Sequence, residues 1–222
     1  MKKRIISILV LICAVATAGS AQTKQITSNE YFTSNSKAHS LMSERSWRME
    51  MKTDTLNGAS IVKSITKTHE RLLPDRERFV ATEKIGDKET RSELIRVGFM
   101  EYRRENNEPW ISKDLRGSGG GGIGNSGGFA CIQHTEEADA VGGIPARKLR
   151  QYSIEKTSEG LSFDDMAVWL DSNGFFLKSE RIKGLLEPRT EKSRSVVTYE
   201  YEPNIKIEAP IKESESKAPV KS

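Results

Sequence analysis

The chain of 222 residues carries 35 basic and 31 acidic side chains, a formal net charge of +4. Three of the cations stand together at the start of "MKKRIISILVLICAVATAGSAQ". If this segment is removed as a signal, 32 basic and 31 acidic residues remain, so the charge gives no support for nucleic-acid binding.

The opening segment has the layout of a secretory signal peptide. Its apolar run, from Ile5 to about Ala16, is shorter than the ~20 residues that a membrane span needs. Small residues allow cleavage after Ala18 or after Ala21, and we therefore expect an exported, periplasmic protein. Attachment of a lipid at Cys13 is the less favoured alternative, because no small residue directly precedes it.

The mature chain is predicted to form one domain over residues 22–210. Its length of about 200 residues suits a single sandwich or barrel. Residues 211–222 have little apolar content and are expected to be disordered. Cys131 is the one cysteine left after processing, so an intramolecular disulfide is excluded.

The first predicted element is a helix over residues 28–44, "SNEYFTSNSKAHSLMSE". Tyr31, Ala38, Leu41 and Met42 form its apolar stripe, because spacings of three, four and seven residues fall on one side of a helix. This is the one helix that the pattern predicts.

After the helix, apolar and polar residues alternate with the period of two that β-strands have. Turn signals such as Asn57-Gly58 and Gly86-Asp87 separate successive runs. About ten strands are predicted to form an antiparallel sheet with one apolar and one charged face, of which only the apolar face is covered. The first run is "SWRMEMKTDT", and the others are residues 60–73, 78–85, 90–97, 99–104, 110–114, 129–141, 146–155, 163–171, 175–183 and 195–202.

The segment "GSGGGGIGNSGG", residues 117–128, is not predicted to bind phosphate. A phosphate-binding loop places glycines directly before the start of a helix, and a P-loop ends in Gly-Lys-Ser/Thr. Here the segment leads into the alternating "GFACIQHTEEADAV", so its G-x-G-x-x-G at Gly122, Gly124 and Gly127 is a product of composition. We interpret it as a flexible connection between two halves of the sheet.

Two groups of side chains could carry chemistry, and neither has a catalytic pattern. Cys131 and His134 lack the further ligands of a zinc site and the C-x-x-C-H of a haem site. Their offset of three on a strand predicts opposite faces, which favours a buried cysteine beside an exposed histidine over a thiol nucleophile. Adjacent Asp164 and Asp165 also point to opposite faces and are interpreted as a solvated pair near a turn. We predict no enzyme activity, no cofactor and no metal site.

A set of apolar and aromatic residues is predicted to share the covered face of the sheet. For any one of them, filling the core is the simpler explanation. A sheet of this length nevertheless has more apolar surface than one modest helix can cover, so the surplus requires a second layer, a partner or an apolar ligand. The candidate ligand-binding residues are Trp47, Met49, Met51, Phe79, Val168, Leu170, Leu177 and Tyr199.

Several segments carry a likeness to a known group of proteins: "LLPDRERFVATEK", "VGFMEYRRENNEPW", "GGIPARKLRQYSIEK", "AVWLDSNGFFLKSERI" and "VVTYEYEPNIKIEAP". With a signal peptide and one helix before a long antiparallel meander, the chain resembles the LolA-like superfamily of periplasmic lipoprotein carriers and lipoprotein-sorting proteins. The resemblance covers most of residues 45–210, and the strand–turn–strand "VWLDSNGFFLKSE" is its most characteristic part.

The resemblance implies a fold and a function. The fold is α+β but mostly β: a curved antiparallel sheet of about ten strands, a half-open barrel, with the N-terminal helix on its concave side. The function is non-enzymatic binding or transport of a lipid or a lipidated protein in an apolar cavity. We expect a monomer, with envelope membrane proteins as further candidate partners. The alternative is an envelope protein-interaction or sensor module that uses the same concave sheet without carrying lipid.

Overall fold

The computed structural model describes residues 23–116 and 129–211. The predicted signal peptide, the glycine-rich loop at 117–128 and all but the first residue of the predicted tail therefore lie outside the described residues. Within those two ranges, no helix has both the length and the apolar character that crossing a membrane requires.

Helix α1 spans Ser28–Ser43, one residue shorter than predicted. A capping box closes its first turn: the backbone N–H of Glu30 donates to the Thr27 hydroxyl at 3.2 Å, and the Glu30 carboxylate accepts from the backbone N–H of Thr27 at 2.7 Å. Tyr31 and Ala38 of the predicted stripe are buried, and this face attaches the helix to the sheet.

Twelve strands form one antiparallel sheet, in place of the ten or so that were predicted. Apolar and polar residues alternate along these strands, and successive side chains point to opposite faces of the sheet. The strands are β1 (Lys24–Gln25), β2 (Trp47–Asn57), β3 (Ser60–Leu72), β4 (Arg76–Ile85), β5 (Lys88–Val97), β6 (Met100–Glu105), β7 (Ile111–Asp114), β8 (Phe129–Val141), β9 (Ile144–Thr157), β10 (Gly160–Leu170), β11 (Phe176–Leu186) and β12 (Arg189–Tyr201).

The sheet joins two meanders in the order β1-β8-β9-β10-β11-β12-β2-β3-β4-β5-β6-β7. Neighbours along the chain pair as hairpins in each meander, and the pairing of β12 with β2 connects the two. Among the described residues, β1 and β7 are edge strands, so the sheet curls without closing. The predicted fold class, an open curled antiparallel sheet with one N-terminal helix, is confirmed.

The predicted turns at Gly58 and Gly86 connect hairpins. Both glycines have a positive φ, 60° and 57°, which a residue with a side chain seldom adopts. The turns between strands are therefore set by local sequence, whereas strand ends differ from the prediction by a few residues. The largest extension is in β12, which starts at Arg189 rather than at residue 195.

The helix face of the sheet is the side on which α1 packs. Residues paired across antiparallel strands point to the same side, and this side can be followed through Leu149, Val168, Ser179, Val197 and Met51. Its core lies under α1, around β9 to β12. That core consists of Tyr31, Ala38, Leu149, Val168, Leu170 and Phe176, with Ile26, Met42, Met166 and Tyr199 at its border.

The opposite face is also partly covered, which corrects the prediction of a single covered side. Residues 203–211 cross β5 and β6 on this face, where Ile207 is buried against Ile95 and Tyr102. The guanidinium of Arg76 donates to the Ile207 carbonyl at 2.9 Å and holds the segment in place. No strand was predicted here because Pro203 breaks the run after β12.

Candidate functional site

An apolar cavity lies on the helix face of the first meander, which α1 does not cover. It is a groove of about 610 Å³ across β2 to β6. This volume is within the range of about 300 to 1,000 Å³ that small-molecule sites occupy. Its apolar lining is Met49, Met51, Phe79, Ala81 and Leu94.

The strand register explains why these residues meet. A row of paired residues runs across five strands on the helix face, and we call it the apolar row: Tyr199, Met49, His69, Phe79 and Leu94. Met51 and Ala81 belong to the next row, where Lys67 stands between them. Because alternation puts every second residue on this face, the four hairpins from β2 to β6 are enough to assemble the groove.

Three rings form one end of the groove. The imidazole of His69 stacks on Phe79 with ring centroids 3.7 Å apart, and it meets Trp47 edge-on at 4.4 Å. Burial, and then the positive charges of Arg71 and Arg96, lower the pKa of His69 to about 4. His69 is therefore neutral at pH 7, and its Nε2 is buried with no hydrogen-bond partner in the described part of the chain.

Ionic groups border the groove toward β6. The buried carboxylate of Glu101 accepts hydrogen bonds from Arg96 at 2.8 Å and from Arg103 at 2.5 Å. Burial alone would raise the pKa of Glu101, but the bonds from Arg103 and Arg96 lower it below its ordinary value. These ion pairs fix the β6 side of the groove as a charged wall.

The predicted site residues lie in three places: at the groove, in or beside the core under α1, and on the opposite face of the sheet. Met49, Met51 and Phe79 line the groove, and Trp47 is buried at its end against His69. The rest of the predicted set lies elsewhere. Val168 and Leu170 are sealed in the core under α1, and Tyr199 packs at the border of that core.

The predicted shared face is wrong for Leu177. Its side chain packs with Ala146, Ala167 and Trp169, a cluster on the opposite face. The cause is an irregularity in pairing: Trp169 opposes Lys178, but the next residue, Leu170, opposes Phe176. The extra residue in β11 reverses the phase of alternation at this point.

The residues of the groove lining that the sequence analysis missed include Lys67, His69, Ala81 and Leu94. Their positions follow from the alternation that places Phe79 on the helix face. The alternation in β3, β4 and β5 therefore indicated their positions. Lys67, His69 and Ala81 were missed because the search considered only large apolar side chains.

The groups considered for catalysis have structural partners. His134 is buried, not exposed as predicted; its ring nitrogens lie 3.3 Å from the Ser28 hydroxyl and 3.4 Å from the Gln151 side-chain oxygen. The side chain of Cys131 lies outside the described part of the structure. No three His, Cys, Asp or Glu side chains among the described residues are placed to hold a metal ion.

Asp164 and Asp165 lie within β10 rather than beside a turn, which corrects their predicted setting. Asp164 accepts from Arg181 of β11 at 2.8 Å, and Asp165 accepts from Arg150 of β9 at 2.6 Å. The two carboxylates thus pair with arginines on different strands and on different faces, as adjacent strand residues must. Both act as ion-pair partners that link neighbouring strands.

Comparison with known proteins identifies no family. No family model and no curated protein matches this chain. Among solved structures, the crystal structure of LprF from Mycobacterium bovis is similar at 10% sequence identity and a TM-score of 0.45, over 84% of this chain and 99% of that chain. A likeness this loose gives no information about a ligand, so the groove has to be interpreted from its own residues.

Proposed function

We propose that this protein binds the hydrocarbon of a lipid or a lipidated protein in the groove across β2 to β6, without catalysing a reaction on it. The observation that carries the proposal is that the helix leaves the apolar row uncovered from Met49 to Leu94. Met49, Met51 and Phe79 are partly exposed there although each would gain from burial.

The energy scale suits a carrier. Burying one fourteen-carbon chain is worth on the order of 10 kcal/mol, at about 0.8 kcal/mol per methylene, before the cost of ordering the chain. An open groove buries only part of that surface, so the net affinity is smaller. This permits both uptake from a membrane and release to an acceptor.

The architecture supports the same proposal. A half-open barrel with an apolar groove is what the resemblance to LolA-like carriers implied from the sequence. We propose that the chain is a distant member of that superfamily, and that residues 1–21 direct its export to the periplasm. Cell fractionation with N-terminal sequencing of the mature protein tests the export, and cleavage after Ala18 or Ala21 is the expected result.

The decisive experiment is lipid analysis by mass spectrometry of the protein purified from its own envelope. We expect co-purifying lipid with the wild type and none with Ala81→Trp, because the indole fills the groove. Thr82→Trp is the matched control, since Thr82 is the next residue of β4, is similarly half-buried, and lies on the opposite face.

Displacement of the neutral fluorophore phenylnaphthylamine gives the same comparison in solution. We expect Ala81→Trp to weaken binding of the fluorophore at least tenfold while Thr82→Trp leaves it unchanged. A folded Ala81→Trp protein that retains lipid and fluorophore would refute the proposal. An empty wild-type protein that captures a polypeptide would favour the sensor alternative.

A further inference from the structure

Two cations on β3 stand beside the apolar row without ion-pair partners. Lys67 and Arg71 lie on the same face of the strand, two residues before and two residues after His69. Neither makes an ion pair with any residue in the described ranges, although most other charged side chains of the sheet do. Lys67 is exposed and lines the groove.

On the side of His69 away from Lys67, the positive charges of Arg71 and Arg96 act on the ring. Arg71 and Arg96 lower the pKa of His69 through their charges, in addition to the effect of burial. Arg96 forms ion pairs with Glu101 and Glu77, whereas Arg71 makes none among the described residues, although Glu77 is its cross-strand neighbour. An unpaired cation beside apolar surface is suited to meet an anion that arrives with its own apolar part.

The β6 side of the groove carries both signs of charge: Arg103 lines it and pairs with Glu101, whereas Glu105 makes no ion pair among the described residues. Glu105 of β6 lines it and lies in the same row as Lys67, with Ala81 and Ser92 between them. Three strand spacings separate Lys67 from Glu105, roughly 14 Å, so the two cannot neutralise each other directly. Within this one row, a bound anion is attracted by Lys67 at β3 and repelled by Glu105 at β6.

We propose that the ligand is an anionic lipid, held with its hydrocarbon along the apolar row and its acidic head group at the β3 end beside Lys67. This inference rests on the proposed function and adds the ligand's charge and its orientation. Apolar burial supplies most of the affinity, and Lys67 selects for the acidic head. Arg71, on the other side of His69, adds to the attraction at longer range.

The test compares a long-chain fatty acid with the fatty alcohol of equal length, each as a competitor of bound phenylnaphthylamine on the mature protein. In the wild type, the acid should bind more tightly than the alcohol. In Lys67→Met, which keeps an unbranched apolar side chain, the acid should weaken about two- to fivefold, the range expected for an exposed ion pair. The alcohol should be unaffected.

Two further variants identify the role of the charge. Lys67→Arg should restore the preference for the acid, because it restores the cation. Lys63→Met is the matched control: Lys63 is on the same strand and face, but it pairs with Glu83 at 2.9 Å and lies outside the groove lining. Glu105→Gln should leave acid binding unchanged or slightly tighter.

The outcomes separate this inference from the proposed function. If neither acid nor alcohol displaces the fluorophore, lipid binding itself fails. If both bind equally in the wild type, and Lys67→Met changes neither, the groove binds lipid but the anionic head group is refuted. Loss of both ligands in a folded Lys67→Met protein would also overturn it, since it would show that Lys67 does not act through the head group.

Discussion

The two halves of the helix face differ in cover although they belong to one sheet. Under α1, Leu149 and Leu170 are 0% and 1% exposed. The same pairing rows continue into β2 to β6, where Met51 and Phe79 remain partly exposed. The open groove is therefore a consequence of the limited length of one helix, since the strands and their alternation do not change.

Simple lengths account for this difference. A helix of 16 residues is roughly 24 Å long at a rise of 1.5 Å per residue. Twelve strands about 4.8 Å apart extend roughly 53 Å along the curl of the sheet. One helix in any orientation can therefore cover no more than about half of this face.

Contacts on the opposite face of the sheet stabilise the open half. On the opposite face, Ile95 and Tyr102 are buried by Ile207 of the C-terminal segment. Beside them, the carboxylate of Glu93 is 3% exposed and accepts from Arg78 and Arg104, each at 2.8 Å. The groove can stay open because the strands that form it are held together by contacts on their other side.

The largest effect is expected in the covered half. Phe176→Ala removes a side chain that is 2% exposed in the core under α1, and should lower the free energy of unfolding by about 3 to 5 kcal/mol. Met51→Ala in the groove should cost less than about 1 kcal/mol, because Met51 is already partly exposed. Urea denaturation of both variants measures the contrast, and equal losses would show that the halves are equally packed.

The contribution of the C-terminal segment can be tested separately. Ile207→Ala should lower the free energy of unfolding by about 2 to 4 kcal/mol, because Ile207 is 1% exposed. Amide hydrogen exchange should be faster mainly in β5 and β6. Lys206→Ala, an exposed neighbour in the same segment, is the control and should change neither. Unchanged exchange in β5 and β6 of the Ile207 variant would contradict stabilisation from the opposite face.

His69 should give the open half a pH dependence of stability between pH 6.5 and 4. The folded protein keeps His69 neutral down to about pH 4, whereas the unfolded chain protonates it near its ordinary value of 6.5. The unfolded state therefore binds more protons between these values, and stability falls as the pH is lowered from 6.5 toward 4.

The effect is isolated by comparing the wild type with His69→Phe. Allowing for the partial exposure of the ring, the wild type should lose about 1 kcal/mol more than the variant between neutral pH and pH 5. Arg71 and Arg96 are present in both proteins. Any effect of their charges on stability that does not act through His69 therefore cancels in the comparison. Parallel pH profiles for the two proteins would show that His69 is not held neutral.

Local features of this comparison were predictable from the sequence. The capped helix, the hairpin turns at Gly58 and Gly86, and the alternation in β2 all depend on neighbouring residues. The excess of apolar surface over one helix was also predictable, because it needs only lengths and patterns. These features led to Met49, Met51 and Phe79 as groove residues.

What escaped prediction depends on long-range register. Nothing local indicates that α1 covers β9 to β12 rather than β2 to β6, so Val168 and Leu170 were assigned to a cavity although they form the core. The C-terminal segment lacks strand pairing and is held on the opposite face by the packing of Ile207 and by the hydrogen bond from Arg76 to its carbonyl. The predicted shared face failed at Leu177 because one irregular pair in β11 reverses the phase.

The smallest change in stability is expected for a variant at Leu177, which tests the phase of alternation in β11. Leu177→Ala should lower the free energy of unfolding by about 0.5 to 1 kcal/mol, since the side chain is only partly buried against Trp169 and Ala167. It should leave displacement of phenylnaphthylamine by fatty acid unchanged, because it acts on the face away from the groove. Leu94→Ala is the matched comparison: it removes the same side chain from the groove and should weaken fatty-acid binding several-fold. If Leu177→Ala weakened binding as much as Leu94→Ala, the phase of β11 would be wrong, and the ligand would lie under the helix rather than in the open half.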